Sequence, residues 1–347
     1  MDEPGATRQD AARAGAAVGS PAARRAVLRA FAASGAVAAL AACAPGTARP
    51  GSRPASGAPT AGAGSTASTT TGPATTPSPT TTPSPADASS PAATPEPSGS
   101  APAPVTPSRA EVVATYSGRR PTYWGLSAPG VVEHAGPAAR AAGSVVLTLD
   151  ACGGPRGTGY DTDLIELLRR HEVAATLFLN HRWVTERPGP ARELAADPLF
   201  EVTSHGVRHL PLSVDGRRAY GIRGTRDVGQ AYDELTGNNE TLEELTGAPV
   251  RWFRPGTAYC DDVAARMARE LGTPVVGFSV NGDGGATLGP AQVAAEVRRA
   301  RPGDIVIAHL NQPSGGTAEG FAKALPRMLD EGTTFARLGD VLPDAPR

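Results

Sequence analysis

The second half of this 347-residue sequence lacks a dense cluster of basic side chains, and the formal net charge of the chain is −1. A nucleic-acid-binding protein needs a concentrated positive surface, so the composition argues against that class. No apolar run is long enough for a permanent membrane-spanning helix, because the run at residues 30–42 is too short. The glycine-rich loop after residue 152 also lacks the Gly-Lys-Ser and Gly-x-Gly-x-x-Gly spacings of phosphate-binding loops.

A signal segment is nonetheless present near the start of the sequence. Arg24 and Arg25 precede the short apolar run, which ends in Leu-Ala-Ala followed by Cys43. This ending resembles a bacterial lipobox, in which the cysteine is acylated, and the paired arginines resemble a Tat export signal. We predict a signal peptide over residues 1–42 and lipid anchoring through Cys43 on the outer, cell-wall side of the cytoplasmic membrane. An ordinary amino-terminal anchor with an incidental cysteine is the alternative.

Large apolar side chains are almost absent from residues 44–106. Proline is enriched before residue 107, where 16 of the 34 prolines of the chain lie together with many Ser, Thr and Ala. Such a segment cannot bury enough surface to offset its ordering entropy, and proline keeps it extended. We therefore predict a disordered linker over residues 43–115, followed by a folded domain over residues 116–347.

Apolar runs of strand length alternate with amphipathic helical patterns in the folded part of the chain. This alternation predicts an α/β fold with a parallel sheet and crossover helices. The number of units exceeds what a small open sheet needs, so we expect a (β/α) barrel, closed or incomplete. Strands are predicted at residues 145–149, 175–179, 200–203, 252–254, 274–280, 305–308 and 334–338, and helices at 161–171, 227–246 with a possible break at Gly237, 261–271 and 320–329.

Several predicted strands end in polar side chains. Asp150 follows the first strand, His205 and His209 follow another, and His309 ends the strand at residues 305–308. The carboxyl ends of parallel strands are where such folds place their chemistry. Histidines four residues apart lie on one face of a helical turn and can share a cation. Structural interpretations remain open, because Asp150 can cap a turn and the histidines can be surface, capping or core side chains.

His309 and Arg254 both fit a catalytic arrangement at the same end of the sheet. His309, if it lies at the active face, suits the role of a general acid. Arg254 precedes a rigid Pro-Gly turn, and a guanidinium at a strand end needs a carboxylate partner, which Asp150 or Asp283 would provide.

Four short motifs, in this order along residues 145–338, resemble those of the polysaccharide deacetylases, carbohydrate esterase family four. They are Thr148-Leu149-Asp150, which resembles the start of the Thr-Phe-Asp-Asp-Gly motif, His205 to His209, which resembles the His-x-x-x-His metal motif, Arg254-Pro255, which resembles Arg-Pro-Pro-Tyr, and Ile307-Ala308-His309, which resembles Leu-x-His.

The resemblance implies a role for each matching residue. Asp150 would be the general base that activates the attacking water, and Arg254 would orient the Asp150 carboxylate. His309 would protonate the leaving amine. His205 and His209 would hold a divalent cation, with zinc as the expected metal. The turn after Arg254 would contact the substrate, with Thr257 and Tyr259 as candidates and a backbone N–H near Thr257 as a second oxyanion donor.

Two motifs depart from the family pattern. Ala151 stands where the family has its metal-binding aspartate, so Asp150, Cys152 or water would fill that place, or the site would be metal-free. A thiolate ligand would favour zinc. The Asp-x-x-Asp-Trp motif is replaced by residues 278–283, where Asp283 can still tune His309 but no tryptophan is present.

Cys152 and Cys260 follow the first-motif acid and the Arg-Pro turn, and both loops are expected at one face of the barrel. In an exported protein, this favours a disulfide between them. A free or metal-binding pair is the competing interpretation.

These residues together predict an exported, metal-dependent hydrolase that acts on carbon–nitrogen bonds other than peptide bonds. It would remove N-acetyl or O-acetyl groups from an amino-sugar polymer such as peptidoglycan, as a monomer whose partners are a glycan and a membrane. The alternatives are a non-catalytic carbohydrate-binding, wall-associated module with a degenerate site, and a metal-dependent amidase for a non-sugar amide.

Overall fold

The computed structural model describes residues 106–342. The predicted signal peptide, Cys43 and the predicted linker up to residue 105 lie outside the described residues. Across the described range, no helix combines the length and the apolar character that crossing a membrane requires.

Helices and short strands alternate along this range, as the sequence pattern predicts. In chain order, the elements are α1 (Arg109–Tyr116), β1 (Trp124–Gly125), α2 (Gly136–Ala141), β2 (Ser144–Ala151), α3 (Thr162–Arg170), β3 (Ala175–Leu179), α4 (His181–Glu186), α5 (Pro188–Ala196), β4 (Phe200–Ser204), β5 (Arg218–Ala219) and β6 (Ile222–Arg223). They continue with α6 (Val228–Thr236), α7 (Asn239–Thr246), a 3-10 turn (Gly256–Ala258), β7 (Cys260–Asp261), α8 (Asp262–Glu270), β8 (Val280–Asn281), α9 (Pro290–Val297), β9 (Ile305–His309), α10 (Thr317–Asp330), β10 (Thr334–Ala336) and α11 (Leu338–Val341).

Helix α1 belongs to the folded domain, although it precedes the predicted boundary at residue 116. The Ser108 hydroxyl caps it by accepting from the Glu111 N–H at 3.4 Å, and the Glu111 carboxylate accepts from the Ser108 N–H at 2.7 Å. Val112 and Tyr116 are buried in a core shared with α6 and α8. The folded part therefore begins one helix earlier than the composition indicates.

The central sheet is parallel, as predicted, and its strand order is β4-β3-β2-β9-β8. β3 pairs with the second half of β2, and β10 pairs with its first half. The register between β2 and β9 sets Asp150 opposite His309. Two predicted site residues therefore lie side by side at the carboxyl end of neighbouring strands.

The sheet does not close into a continuous barrel. Single parallel bridges join Ser204 to Phe253 and Phe253 to Val275, and the chain after Val275 then reaches β8 at the other edge. The predicted strands at 252–254 and 274–280 are therefore wrong over most of their length. Proline lacks the N–H that a ladder needs, and Pro255 and Pro274 stand next to these bridges. The expected barrel is present in its incomplete form.

Strand β2 is buried on both faces, which explains its unbroken apolar sequence. Val145, Leu147, Leu149 and Ala151 pack into the outer core against the helices, whereas Val146 packs into an inner cluster with Phe178, Trp252 and Ile305. Since side chains alternate along a strand, Thr148 and Asp150 point to the inner side with Val146. The same alternation that builds two cores therefore delivers Asp150 to the interior.

The helices begin and end where local chemistry predicts. Asp161 caps α3 and Asp261 caps α8, each accepting from a backbone N–H three residues on, at 3.1 and 2.7 Å. The long helical pattern over residues 227–246 divides at Gly237 into α6 and α7. A Cβ at Gly237 would lie 2.6 Å from the Asp233 carbonyl oxygen, so this position accepts only glycine without a shift.

Candidate active site

Asp150 lies at the carboxyl end of β2 and is 2% exposed. Its Oδ1 accepts a hydrogen bond from Arg254 Nη1 at 2.8 Å, and the same nitrogen donates to Thr148 Oγ1 at 2.8 Å. Burial acts to raise the pKa of Asp150, but the Arg254 guanidinium and nearby histidines outweigh it and hold this pKa below its usual value. Asp150 is therefore an ionised base inside the barrel.

Arg254 is fully buried and has partners on every side. Its Nε and Nη2 donate to the carbonyls of Val276 and Gly277 at 3.1 and 2.8 Å, and its guanidinium carbon lies 4.1 Å from the centroid of the Phe178 ring. The contact with Asp150 that the sequence led us to expect is present, whereas the Thr148 contact was missed. A strand-interior threonine two residues before a buried acid was the available signal.

His205 and His209 come together without the helical turn that we predicted, and that prediction is wrong. The loop after β4 instead carries positive φ angles at Gly206 (75°) and His209 (60°). The two rings are nearly perpendicular, with centroids 4.8 Å apart. His205 Nδ1 donates to the Arg254 carbonyl at 2.8 Å, so the Nε2 lone pair is left to face the site.

A buried carboxylate that sequence reasoning missed determines the shape of this loop. Glu234 of α6 is 2% exposed, and its Oε1 accepts from the backbone N–H groups of Arg208 and Leu210 at 3.0 and 3.2 Å. A Cβ at Gly206 would lie 2.6 Å from the same Oε1 atom. The available signal was an acid on the apolar face of α6, next to Leu235, where a charge needs buried donors.

Cys152 joins the two histidines at the mouth of the site. Its Sγ lies 3.7 Å from His205 Nε2, and donor atoms of Cys152, His205 and His209 all lie within 4.8 Å of one another. Desolvation acts to raise the pKa of the Cys152 thiol, but His209, together with hydrogen bonds from His205, His209 and His309, holds it well below its usual value. Imidazole nitrogens and a thiolate are the donors that zinc prefers, so the residues fit a divalent cation.

The predicted disulfide between Cys152 and Cys260 is wrong, because both are free thiols. Cys260 lies on β7, which pairs with β1, and it is fully buried beside Leu212 and Met267. Burial raises the pKa of the Cys260 thiol well above its usual value. The two cysteines therefore occupy different environments, one polar and one apolar.

His309 forms the opposite side of the site from the paired histidines. Its Nδ1 donates to Asp283 Oδ1 at 3.0 Å, and its backbone N–H donates to Asp283 Oδ2 at 2.7 Å. Thr317 Oγ1 donates to the same Oδ2 at 3.1 Å. Burial acts to lower the pKa of His309, but Asp283 outweighs it and raises this pKa well above the usual value. His309 is therefore a cationic acid, and its expected link to Asp283 exists without the missing tryptophan.

The turn after Arg254 lies against the histidine loop. Thr257 has a φ of 72°, which is uncommon for a threonine, and its buried hydroxyl has no hydrogen-bond partner. A Cβ at Gly256 would meet the His209 backbone at 2.3 Å. The Tyr259 ring contacts Trp124 and Tyr220, with centroid distances of 5.8 and 5.3 Å. Both predicted substrate contacts therefore lie in a turn that borders the site, and Tyr259 adds an aromatic surface.

Residues 138–276 match the family model for polysaccharide deacetylase. A chitooligosaccharide deacetylase of Sinorhizobium fredii is 31% identical over 168 residues, which cover 48% of this chain and 71% of that protein. The chain belongs to the polysaccharide deacetylase family.

Other relatives are more distant or are matched over less of their length. The uncharacterized protein YlxY of Bacillus subtilis is 22% identical over 54% of each chain, so this chain spans about half of that relative. The peptidoglycan-N-acetylmuramic acid deacetylase PdaA of the same organism is 23% identical, over 53% of this chain and 66% of PdaA.

Solved structures share the fold. A mutant of the Bacillus anthracis protein BA3943, a CE4 family pseudoenzyme with restored enzymatic activity, is 25% identical with a TM-score of 0.52, over 63% of this chain and 73% of that one. The structure of PdaA is 22% identical with a TM-score of 0.50, over 61% and 84% of the two chains. The incomplete parallel α/β barrel is therefore the fold of this family.

Proposed function

We propose that this protein removes acetyl groups from an N-acetylated amino-sugar polymer, with peptidoglycan or a related glycan as its substrate. The observation that carries the proposal is the pairing of an ionised acid, Asp150, with a cationic His309 on adjacent strands beside two histidines. Two of the relatives are named as deacetylases of peptidoglycan N-acetylmuramic acid and of chitooligosaccharides, which supports an N-acetylated sugar as substrate.

Asp150 would take the proton of the attacking water. The Arg254 contact occupies Oδ1 and keeps the carboxylate ionised, so Oδ2 is the atom that accepts the proton. A divalent cation held by His205 and His209 would supply Lewis-acid polarisation of the acetyl carbonyl. The backbone N–H of Thr257, in the turn against His209, would donate to the oxyanion as charge develops on it.

His309 would deliver a proton to the leaving amine. Asp283 binds its Nδ1, so the transferable proton is on Nε2. The aromatic surface made by Tyr259, Trp124 and Tyr220 would support the sugar rings, since Tyr220 is 48% exposed and its ring packs on Tyr259.

The place of action forms part of the proposal. A lipid on Cys43 and a linker up to residue 105 would hold the domain, acting as a monomer, on the cell-wall side of the cytoplasmic membrane. A glycan layer outside that membrane is the polymer within reach of such a tether.

Acetate release tests the proposed function. The full chain, loaded with zinc, is expected to release acetate from N-acetylglucosamine oligomers and from purified peptidoglycan. Structural neighbours include pseudoenzymes, so binding of these glycans without any acetate would contradict the proposal and favour a carbohydrate-binding module. Hydrolysis of a non-sugar amide, without acetate release from any of the glycans, would favour an amidase.

The pH dependence of deacetylation should follow the protonation of the His309 ring. A general acid must be protonated, so activity is present below the pKa of His309 and is lost as pH rises through it. Because the Asp283 carboxylate raises this pKa, Asp283→Asn should move the alkaline limb of the kcat profile to lower pH. Thr317→Val is the matched control, since it removes one hydrogen bond to Asp283 and keeps the charge. An unmoved limb in Asp283→Asn would contradict the assignment of His309 as the acid.

A further inference from the structure

We infer that Cys152 is the third protein ligand of the cation and that its thiolate makes the site select zinc over magnesium, calcium and manganese. The inference rests on the proposed function only in requiring that a divalent cation occupy the site. It identifies the ligand that replaces the metal-binding aspartate of the family, because Ala151 stands at that position in this chain.

Strand alternation explains why the ligand comes from position 152. Ala151 is the last residue of β2, and its side chain is fully buried in the outer core beneath the helices. Cys152, two residues after Asp150, is the next residue whose side chain returns to the inner face.

The distance between Cys152 and His205 agrees with a tetrahedral zinc site. Bond lengths of about 2.3 Å for sulfur and about 2.0 Å for nitrogen separate two such donors by about 3.5 Å. Cys152 Sγ and His205 Nε2 are 3.7 Å apart. The His209 donor completes a set of three whose members lie within 4.8 Å of one another, which leaves the fourth position for substrate or water.

A hydrogen bond to the ring of His205 orients its Nε2 atom toward the site. His205 Nδ1 donates to the Arg254 carbonyl, so its Nε2 carries the lone pair and faces Cys152.

Asp150 Oδ2 lies 3.6 Å from His205 Nε2, but the other oxygen of this carboxylate is bound elsewhere. Its Oδ1 binds Arg254 at 2.8 Å in a charge-assisted contact, and Asp150 does not belong to the group of three converging donors. The substitution of a thiolate for a carboxylate ligand therefore leaves Asp150 available as the base. It also changes the metal preference, since soft thiolates bind zinc and oxygen ligands suit magnesium, calcium and manganese.

Cobalt replacement provides a test that does not involve substrate. Cobalt bound to the full chain should show a thiolate-to-cobalt charge-transfer band in the near ultraviolet. Cys152→Ser should remove the band and weaken zinc binding by at least about 100-fold in a chelator competition, because loss of even an outer-shell partner costs 10–100-fold. Cys260→Ala and Cys43→Ser are matched controls, and each should keep both the band and the zinc affinity.

Three results would overturn the inference. They are cobalt binding to the unaltered chain without the charge-transfer band, zinc affinity unchanged in Cys152→Ser, and displacement of zinc by a modest excess of magnesium or manganese. The cobalt band with no acetate release would instead support Cys152 as a ligand and contradict the proposed deacetylation. The two ideas therefore fail separately.

Discussion

Replacing Asp150 with asparagine is expected to lower kcat for acetate release by about a thousandfold, within the range that a general base contributes. The amide keeps the shape of the side chain and can still accept from Arg254 Nη1, so the loss comes from basicity. Release of acetate from N-acetylglucosamine oligomers measures the effect. Zinc content measured on the same sample should be unchanged, because Asp150 lies outside the group of three converging donors.

Asp233→Asn makes the same chemical change on the surface. Asp233, on α6, pairs with Arg109 of α1, and its side chain is 54% exposed, so this variant should retain the acetate-release rate of the unaltered chain. An Asp150→Asn variant that kept kcat within a factor of ten would show that the base lies elsewhere.

Arg254→Met is expected to lower the free energy of unfolding by about 3–5 kcal/mol, the usual cost of removing one member of a buried ion pair. The change leaves Asp150 charged and buried, and it removes the donors that satisfy the carbonyls of Val276 and Gly277. Methionine still covers Phe178, so little of the loss comes from packing. Urea unfolding of the full chain, monitored by tryptophan fluorescence, measures the difference.

Arg299→Met is the matched surface variant. Arg299 is 73% exposed and pairs with Glu296 at 3.3 Å, so its loss should change stability by less than about 1 kcal/mol. Combining Arg254→Met with Asp150→Asn should recover part of the lost stability, because the unpaired charge is removed with its partner. A loss below about 1 kcal/mol in Arg254→Met alone would contradict the buried pair as a source of stability.

The positions of Asp150 and His309 could be predicted from local sequence, because an apolar run followed by a polar residue marks the end of a buried strand. The apolar run before Asp150 predicts a strand buried on both faces, and β2 is one. A parallel sheet then brings its carboxyl end beside that of β9, which places Asp150 next to His309. No pairing partner had to be known, since all strands of such a sheet end at the same edge.

What sequence reasoning missed depends on contacts between distant segments. The orientation of Cys260 follows from the pairing of β7 with β1, a two-residue ladder with no periodic signal. The shape of the histidine loop follows from Glu234, which lies 25 residues after His209 along the chain and accepts hydrogen bonds from backbone N–H groups of the loop. The spacing of the histidines therefore predicted a helical turn, and the expected position of two loops at one barrel face predicted a disulfide, and the structure contains neither.

The open side of the barrel has a consequence for how the site is assembled. Arg254 lies in that gap, where its backbone N–H donates to Ser204 of β4 and its side chain reaches Asp150 on one flank and Gly277 on the other. The guanidinium therefore connects its own segment to β2 and to the segment of Val276 and Gly277, and the first and last of these are joined by the isolated bridge between Phe253 and Val275. Asp150, the proposed base, acquires its partner only when these segments have docked. The proposed active site and the cooperative folding of the sheet would therefore arise in the same event.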